Sequence, residues 1–313
     1  MALVIGEETT RKLIDMPQAL KAVEAIFRDR AAGRVRALPR RRLKGNQRQL
    51  NVMEAWHAGW DLFCLRAYVG RANTVTLYEG RTGKIAALVN MGYLSSLRTG
   101  AASGVAAKYL APPKSEVLGL IGPGWQGTFQ VEAIAESTSV RQVLVFGRDP
   151  KKRRAFIREM RRKVSVDWKE ASSLEEIEAE SDIVVLATNS TTPVISGAHL
   201  KDEVLVVTMG ANAPTRHEVS SDLIRRMDLV VTDDLPTAKT GSGDLIAAEN
   251  AGVIQWDKVV PLEKFVTEGT LTPCPRRILF QSNGIADEDL AVSRYVLEQV
   301  NRKKIRVKKI SEI

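Results

Sequence analysis

Val117-Leu118-Gly119-Leu120-Ile121-Gly122-Pro123-Gly124-Trp125-Gln126-Gly127 is the stretch whose reading decides the fold. A short apolar run of strand-forming residues leads into glycines spaced GxGxxG, and helical spacing follows from Thr128 to about Glu136. In that strand–turn–helix context each glycine has a physical task. Gly122 permits the tight turn, Gly124 lets backbone approach a pyrophosphate, and Gly127 allows close helix–strand packing. The helix N-terminus supplies N–H groups and partial positive charge for the same phosphate oxygens. The plainer alternative is a glycine turn with a structural role only.

Downstream the pattern keeps alternating. Val143–Phe146, Ile183–Ala187, Val204–Met209 and Leu229–Thr232 read as strands, and Pro150–Lys163 and Ser173–Glu180 as helices. Strands separated by helices of this length predict a doubly wound parallel sheet of Rossmann type. The second strand of such a sheet ends near the adenine ribose, where a carboxylate suits NAD. Here that end is Gly147, followed by Arg148, with Lys151, Lys152 and Arg153 close behind. These cations suit a 2′-phosphate, so NADP(H) is the expected preference, with NAD(H) possible. Asp149 comes two positions late and reads as a helix cap.

Upstream the grammar differs. A helix is expected over Thr10–Gly33, then an arginine-rich stretch around Pro39, then strands near Gln49–Met53, Leu62–Val69, Thr74–Glu79 and Ile85–Asn90. Leu94–Leu110 reads as an alanine-rich helix stopped by Ala111-Pro112-Pro113, the clearest boundary in the first half. A closing helix is expected over Asp287–Val300, ahead of a basic tail.

The chain has 313 residues, 44% hydrophobic and 27% charged, which excludes bulk disorder and collagen-like structure. No apolar run approaches the ~20 residues of a membrane span. Acidic residues follow the short apolar start, so no signal peptide is expected, and a cytoplasmic setting is the default. Cys64 and Cys274, the only cysteines, form no CxxC and predict neither a disulfide framework nor a metal site. The net charge of +9 is uneven: nine lysines and arginines face one acid over Arg28–Arg48, and nine face two over Arg148–Lys163. With only 5% aromatic residues and no recognition motif, those runs read as solvated faces and small-anion sites, not as a nucleic-acid surface.

An ordered set of motifs resembles the ornithine cyclodeaminase/mu-crystallin family. Ser95–Leu110 resembles the family's RTAAxSxxAxKxL helix, and Gly122–Gly127 its GxGxQA turn. Ala187-Thr188-Asn189-Ser190 with Pro193 is similar to its strand-end TxSxxP. Gly210-Ala211-Asn212-Ala213-Pro214 with Glu218, Ser242–Leu245 and Phe280–Asp289 resemble GADxPxxxE, SGDV and FKSxGxAxED. The resemblance implies a central Rossmann domain over 113–289 inserted in an α+β substrate-binding and dimerisation domain built from 1–112 and 290–313, a homodimer, and hydride transfer between nicotinamide and the Cα of a small amino or imino acid. It also implies dinucleotide contacts from Gly122, Gly124, Trp125, Gln126, Gly127, Gly147, Arg148, Thr188, Asn189, Ser190, Gly210 and Asn212.

By the same resemblance, Arg41 and Arg98 are the expected carboxylate-gripping arginines, suited by their bidentate forks. Otherwise Arg41 belongs to a solvated loop and Arg98 to a helix surface. Two positions depart from the family. Its catalytic lysine is Arg66 here, which can hold a carboxylate but, with a pKa above ~12, cannot shuttle a proton. The aspartate that handles the substrate amine is Asn212, which orients an amine without taking its proton. His57 and Glu54, and more weakly Glu79 and Asp244, are the alternative proton carriers. His199 and His217 read as loop or helix-end residues.

The expected function is therefore an NADP(H)-preferring oxidoreductase of a small amino, imino or 2-oxo acid. It would resemble a ketimine or pyrroline-carboxylate reductase, or an alanine dehydrogenase. Three arginines in one site also suit a dicarboxylate. Two alternatives stand beside it: a true NAD-dependent ornithine cyclodeaminase making proline and ammonia, and a non-catalytic NADPH-dependent binding protein.

Overall fold

The computed structural model describes residues 1–269 and 275–311, so Cys274 lies outside the described residues. The chain divides into two compact units, Met1–Thr99 with Ile285–Ile313, and Gly100–Gly284.

The first unit opens with β1 (Ala2–Ile5), α1 (Glu7–Leu13) and α2 (Met16–Ala31). The single helix expected over Thr10–Gly33 is broken at Asp15, whose side chain accepts from Gln18 N while Gln18 Oε1 accepts from Asp15 N. That reciprocal capping box, with Pro17 inside the first turn, starts a new helix where hydrophobic spacing alone runs on. β2 (Val35–Lys44), β3 (Gln49–His57), β4 (Leu62–Val69), β5 (Ala72–Glu79) and β6 (Ile85–Asn90) then form an antiparallel meander. β2 is the arginine-rich stretch, which the polar composition had hidden as a strand.

The helix α3 (Gly92–Leu110) follows, and the division between units falls inside it, at Thr99/Gly100. The proline pair thus marks where the helix stops, thirteen residues past the point where contacts change. Gly100 begins the second unit's share of that helix, and a Cβ there would lie 2.4 Å from Phe129 O.

The second unit contains β7 (Val117–Ile121), α4 (Trp125–Ser137), β8 (Gln142–Phe146), α5 (Pro150–Met160), β9 (Asp167–Glu170), α6 (Leu174–Glu180), β10 (Ile183–Leu186), β11 (Thr191–Ile195) and β12 (Val204–Thr208). It continues through β13 (His217–Val219), α7 (Ser221–Arg225), β14 (Leu229–Thr232), α8 (Leu235–Gly241), α9 (Gly243–Asn250), β15 (Val260–Pro261), α10 (Leu262–Glu268) and β16 (Arg277–Gln281). Eight of these strands form a parallel sheet in the order β15-β14-β16-β12-β10-β7-β8-β9. β10 and β12 are buried at every residue, as expected of central parallel strands covered on both faces. The chain winds outward from β7 through β8 to β9, then returns to β10 on the other side of β7. The strand order reverses between β7 and β10, the crevice where Rossmann sheets bind ligands.

The first unit closes with α11 (Ala286–Arg302) and β17 (Lys308–Ile310). α11 packs on α2 and lies against β2, β3, β4 and β5, and β17 pairs antiparallel with β1. The basic tail therefore ends as an edge strand. The second division, at Gly284/Ile285, precedes α11 because the first turn of that helix is bonded into the first unit.

Candidate active site

In the second unit, strand ends position the residues expected to meet a dinucleotide. Gly122 lies in the turn after β7 with φ +99, and a Cβ there would come within 2.5 Å of Ala187 O. Only glycine meets both demands. Gly124 is the N-cap of α4, carries no side chain to block the helix N-terminus, and has open space where a Cβ would be. Trp125 is 56% exposed beside that turn, its ring edge-on to Phe129 at 5.0 Å. These features fit a dinucleotide whose pyrophosphate lies against uncapped amides.

Gly147, after β8, is enforced by packing. A Cβ there would sit 2.6 Å from Pro123 Cδ, so the acidic side chain that suits NAD has no room at this position. Arg153 Nη1 donates to Gly147 O at 2.7 Å and steadies the turn. Arg148 is exposed, as are Lys151 and Lys152. Asp149 caps α5, accepting from Lys151 N at 2.8 Å and Lys152 N at 3.3 Å. Thr188, Asn189 and Ser190 follow β10, and Gly210 and Asn212 follow β12. Because β12, β10, β7 and β8 are sheet neighbours, all the expected dinucleotide residues gather at one carboxyl edge of the second unit.

That edge is held by buried carboxylates, among them Glu218, to which the sequence reading assigned no role, and Asp244, one of its weaker proton-carrier candidates. Glu218, fully buried, accepts from Thr188 N (2.7 Å), Thr188 Oγ1 (2.8 Å), Met209 N (3.0 Å) and Gly210 N (2.6 Å). One side chain thereby ties the β10 and β12 ends together. Asp244 in turn accepts from Glu218 N at 3.0 Å and lies 3.5 Å from His217 Nδ1. Burial pushes Glu218 up to about 7 against its hydrogen bonds, and burial with the nearby Glu218 charge pushes Asp244 up to about 8. Asp233 similarly accepts from Asn283 N and Gly284 N after β16. Glu218, Asp244 and the Phe280–Gly284 turn all fall in motifs visible in the sequence, which was the available signal.

The first unit holds its own cluster of buried arginines. Arg66 of β4 and Arg98 of α3 are 4% and 3% exposed. Arg66 Nη1 donates to both Asp289 oxygens at 2.9 Å, Nη2 to Ser95 Oγ at 2.8 Å, and Nε to Asn73 Oδ1 at 3.1 Å. Arg98 Nε donates to Asp289 Oδ1 and Nη1 to Glu288 Oε2, both at 2.8 Å. Burial opposes the Arg98 charge, but the two carboxylates overcome it and hold the guanidinium above its usual range. Arg30 takes the remaining acid of the turn, bonding Asp287 Oδ2 at 2.6 Å. Three consecutive acids in the first turn of α11, favoured there by the helix dipole, are thus each clasped by arginine.

Arg41 does not join this group. It is 68% exposed in its side chain and paired with Glu54 across β3. Its neighbour Arg40 takes the inward place, with Nε 3.4 Å from Met53 Sδ. The cause is a bulge: the β2–β3 register shifts between Leu38 and Arg41, so Pro39 and Arg40 together oppose Met53. A bulge inverts the in–out alternation beyond it, which residue spacing does not announce.

The other proton-carrying candidates have structural partners. His57 is 2% exposed, Nε2 faces Asp29 Oδ2 at 2.8 Å, and Nδ1 accepts from Trp60 N at 3.1 Å. Nδ1 therefore holds the β3–β4 turn, and Nε2 ties the end of β3 to α2. Glu79 accepts from Thr82 Oγ1 in the next turn, and His199 donates its backbone N–H to Glu178. Among the described residues no cluster of metal-ligating side chains occurs, and no helix is long and apolar enough to cross a membrane.

Known proteins share this architecture along the whole chain. The family model described as ornithine cyclodeaminase/mu-crystallin family matches residues 2–304. An alanine dehydrogenase of Archaeoglobus fulgidus is 30% identical over 317 residues, covering 97% of this chain and 96% of that one. An iminosuccinate reductase of Paracoccus denitrificans is 27% identical over 318 residues, with 96% and 97% coverage. The solved structure of Thermococcus litoralis delta(1)-pyrroline-2-carboxylate reductase, in complex with NADH and L-proline, superposes with a TM-score of 0.92 at 25% identity. It covers 98% of this chain and 100% of its own. With the family model spanning nearly every residue, the chain belongs to the ornithine cyclodeaminase/mu-crystallin family.

Proposed function

We propose that the protein is an NAD(P)-dependent oxidoreductase of a small amino or imino acid. The observation that carries this reading is the carboxyl edge of the parallel sheet, where the Gly122 turn, the Gly124 helix start and the Thr188–Gly210 strand ends converge. A nicotinamide dinucleotide bound there supplies or accepts the hydride exchanged with the substrate Cα. Relatives acting on alanine, iminosuccinate and pyrroline-2-carboxylate support the substrate class.

On the substrate side, Arg98 Nη2 makes no hydrogen bond among the described residues, which leaves that edge of the guanidinium to a carboxylate. Arg66 acts by position. With its donors bonded to Asp289, Ser95 and Asn73, it keeps α11 and α3 in register. Ornithine cyclodeamination is the weaker reading, because neither Arg66 nor Asn212 can take a proton from a substrate amine.

NADP(H) is the preferred cofactor in this proposal, since Pro123 excludes an acidic side chain at Gly147 while Arg148 stands exposed beside it. We further assign a homodimer, consistent with the open β2 edge and its 58% and 70% exposed Leu38 and Leu43, and a cytoplasmic setting. The test is oxidation of NADPH and of NADH with a panel of cyclic imino acids, and of 2-oxo acids plus ammonia. Turnover is expected, faster at limiting NADPH than NADH, and Arg148→Ala should raise the KM for NADPH about tenfold with little change for NADH. Tight NADPH binding with no turnover would replace this reading by a binding protein.

A further inference from the structure

Reduction of an imine needs a proton as well as a hydride, and a guanidinium at position 66 is a poor proton carrier near neutrality. The carriers that the sequence offers are engaged elsewhere. His57 is held between Asp29 and Trp60, and Glu54 pairs with Arg41 on the face of β3 opposite Met53. Glu79 accepts from Thr82, and Asp244 belongs to the second unit. On the Arg66 face of β4, Leu62, Cys64 and Arg66 are buried, while Tyr68, two residues further on, is half-buried. The face that α11 covers thus opens at Tyr68. Burial pushes the Cys64 thiol far up, which removes it as a carrier.

The Tyr68 ring is fixed and its hydroxyl is not. The Arg66 guanidinium lies 4.8 Å from the ring centre, and Asp289 with Ser95 and Asn73 holds that guanidinium in place. Tyr68 has an amide on either side, Asn51 on β3 and Asn73 on β5. Asn51 bonds to Gln49, and Asn73 accepts from Arg66 and donates to Met91 O, so neither meets the phenol. Among the described residues Tyr68 Oη makes no hydrogen bond, which leaves it one donor and its acceptor sites for a ligand or solvent. Burial brings Arg40 down to about 10 and lowers Arg42, and Tyr68 works against burial at both. A negative charge left on Oη is therefore met by guanidiniums from β2 and β4.

We propose that Tyr68 is the proton donor of this protein, its hydroxyl taking over the task that the family's lysine has at position 66. This rests on the amino/imino acid reading above. In the reductive direction the imine nitrogen takes the Oη proton. The imine carbon takes a hydride from the reduced nicotinamide, which is thereby oxidised. The carbon–nitrogen π bond breaks as the new C–H and N–H bonds form, and the phenolate regains its proton from solvent. Oxidation of the amine runs the same transfers in reverse, with the phenolate as the base. Arg66 then has two positioning roles: it holds the ring through its guanidinium and holds α11 through Asp289.

The test is Tyr68→Phe, which keeps the ring beside Arg66 and removes only the unshared hydroxyl, so the melting temperature and NADPH affinity should stay those of the unmodified protein. With the best substrate of the panel above, kcat at pH 8 should fall about a hundredfold with KM within about threefold. At pH 6 the deficit should narrow, because more of the imine arrives already protonated and needs no donor. A variant whose kcat stays within about threefold of the unmodified value overturns the assignment and leaves the oxidoreductase reading standing. A large deficit that is the same at both pH values also overturns it, since the hydroxyl then orients substrate without donating. An unmodified protein inert on the whole panel sinks the oxidoreductase reading and this assignment with it.

Discussion

The two units bury their carboxylates by opposite means. In the first, Asp287, Glu288 and Asp289 are neutralised by full charges, the guanidiniums of Arg30, Arg98 and Arg66. In the second, Glu218, Asp233, Asp244 and Glu178 are held by backbone N–H groups at turns and strand ends. Guanidinium pairing with Asp289 and Glu288 outweighs burial at Arg98 and holds it above its usual range. Amide dipoles offset burial only in part, so Glu218 and Asp244 titrate near neutrality. The first arrangement clamps a helix; the second ties loops that must also receive a ligand.

Breaking the charged clamp should have the largest effect. Asp289→Ala leaves Arg66 and Arg98 buried without their shared carboxylate, at a cost of about 3–5 kcal/mol read by denaturant unfolding. A loss below about 1 kcal/mol would mean that solvent replaces the carboxylate and that the clamp is incidental.

Glu218→Ala comes next. It strands three amides and a hydroxyl, at about 1–3 kcal/mol for each group that finds no replacement. Because those groups belong to Thr188, Met209 and Gly210, weaker NADPH binding should accompany the loss, measured by fluorescence titration on the folded variant. Unchanged affinity would separate the tether from the cofactor site.

The smallest effect sharpens the contrast through pH. Burial moves Glu218 from its ordinary 4.5 to about 7, and Asp244 from 3.8 to about 8, so the folded state binds more protons between those limits. Stability is then greatest at low pH within this window and falls as pH rises through 7 and 8. The melting temperature should drop by a few degrees between pH 5 and 8. Asp244→Asn, neutral throughout, should flatten that slope. An equally steep slope in the variant would move the titration elsewhere.

Much of the second unit was legible because parallel strands are buried on both faces and read as continuous apolar runs. β7, β8, β10, β12 and β14 were all found that way, with Asp149 as a cap. β16 was quoted as a motif but not recognised as a strand, though it lies between β12 and β14. In the first unit the meander β3–β6 showed itself by alternation. β2 did not, since its arginines carry no apolar period, and the Asp15 cap split a helix that periodicity had joined. Of the candidate site, the glycine turn was readable by residue type and spacing, and Arg98 was singled out through the family resemblance. Arg40 was not, because a one-residue bulge exchanged its face with that of Arg41.

By itself, then, the sequence determined the parallel sheet with its glycine turn and, through its motifs, the family. These depend on local spacing and residue chemistry, which survive without coordinates. Only the tertiary structure decided which arginines share a face, that Arg66 is bound to Asp289, and that Glu218 joins two strand ends. Arg66 and Asp289 are 223 residues apart, and no local pattern encodes which buried charge meets which when the chain closes on itself.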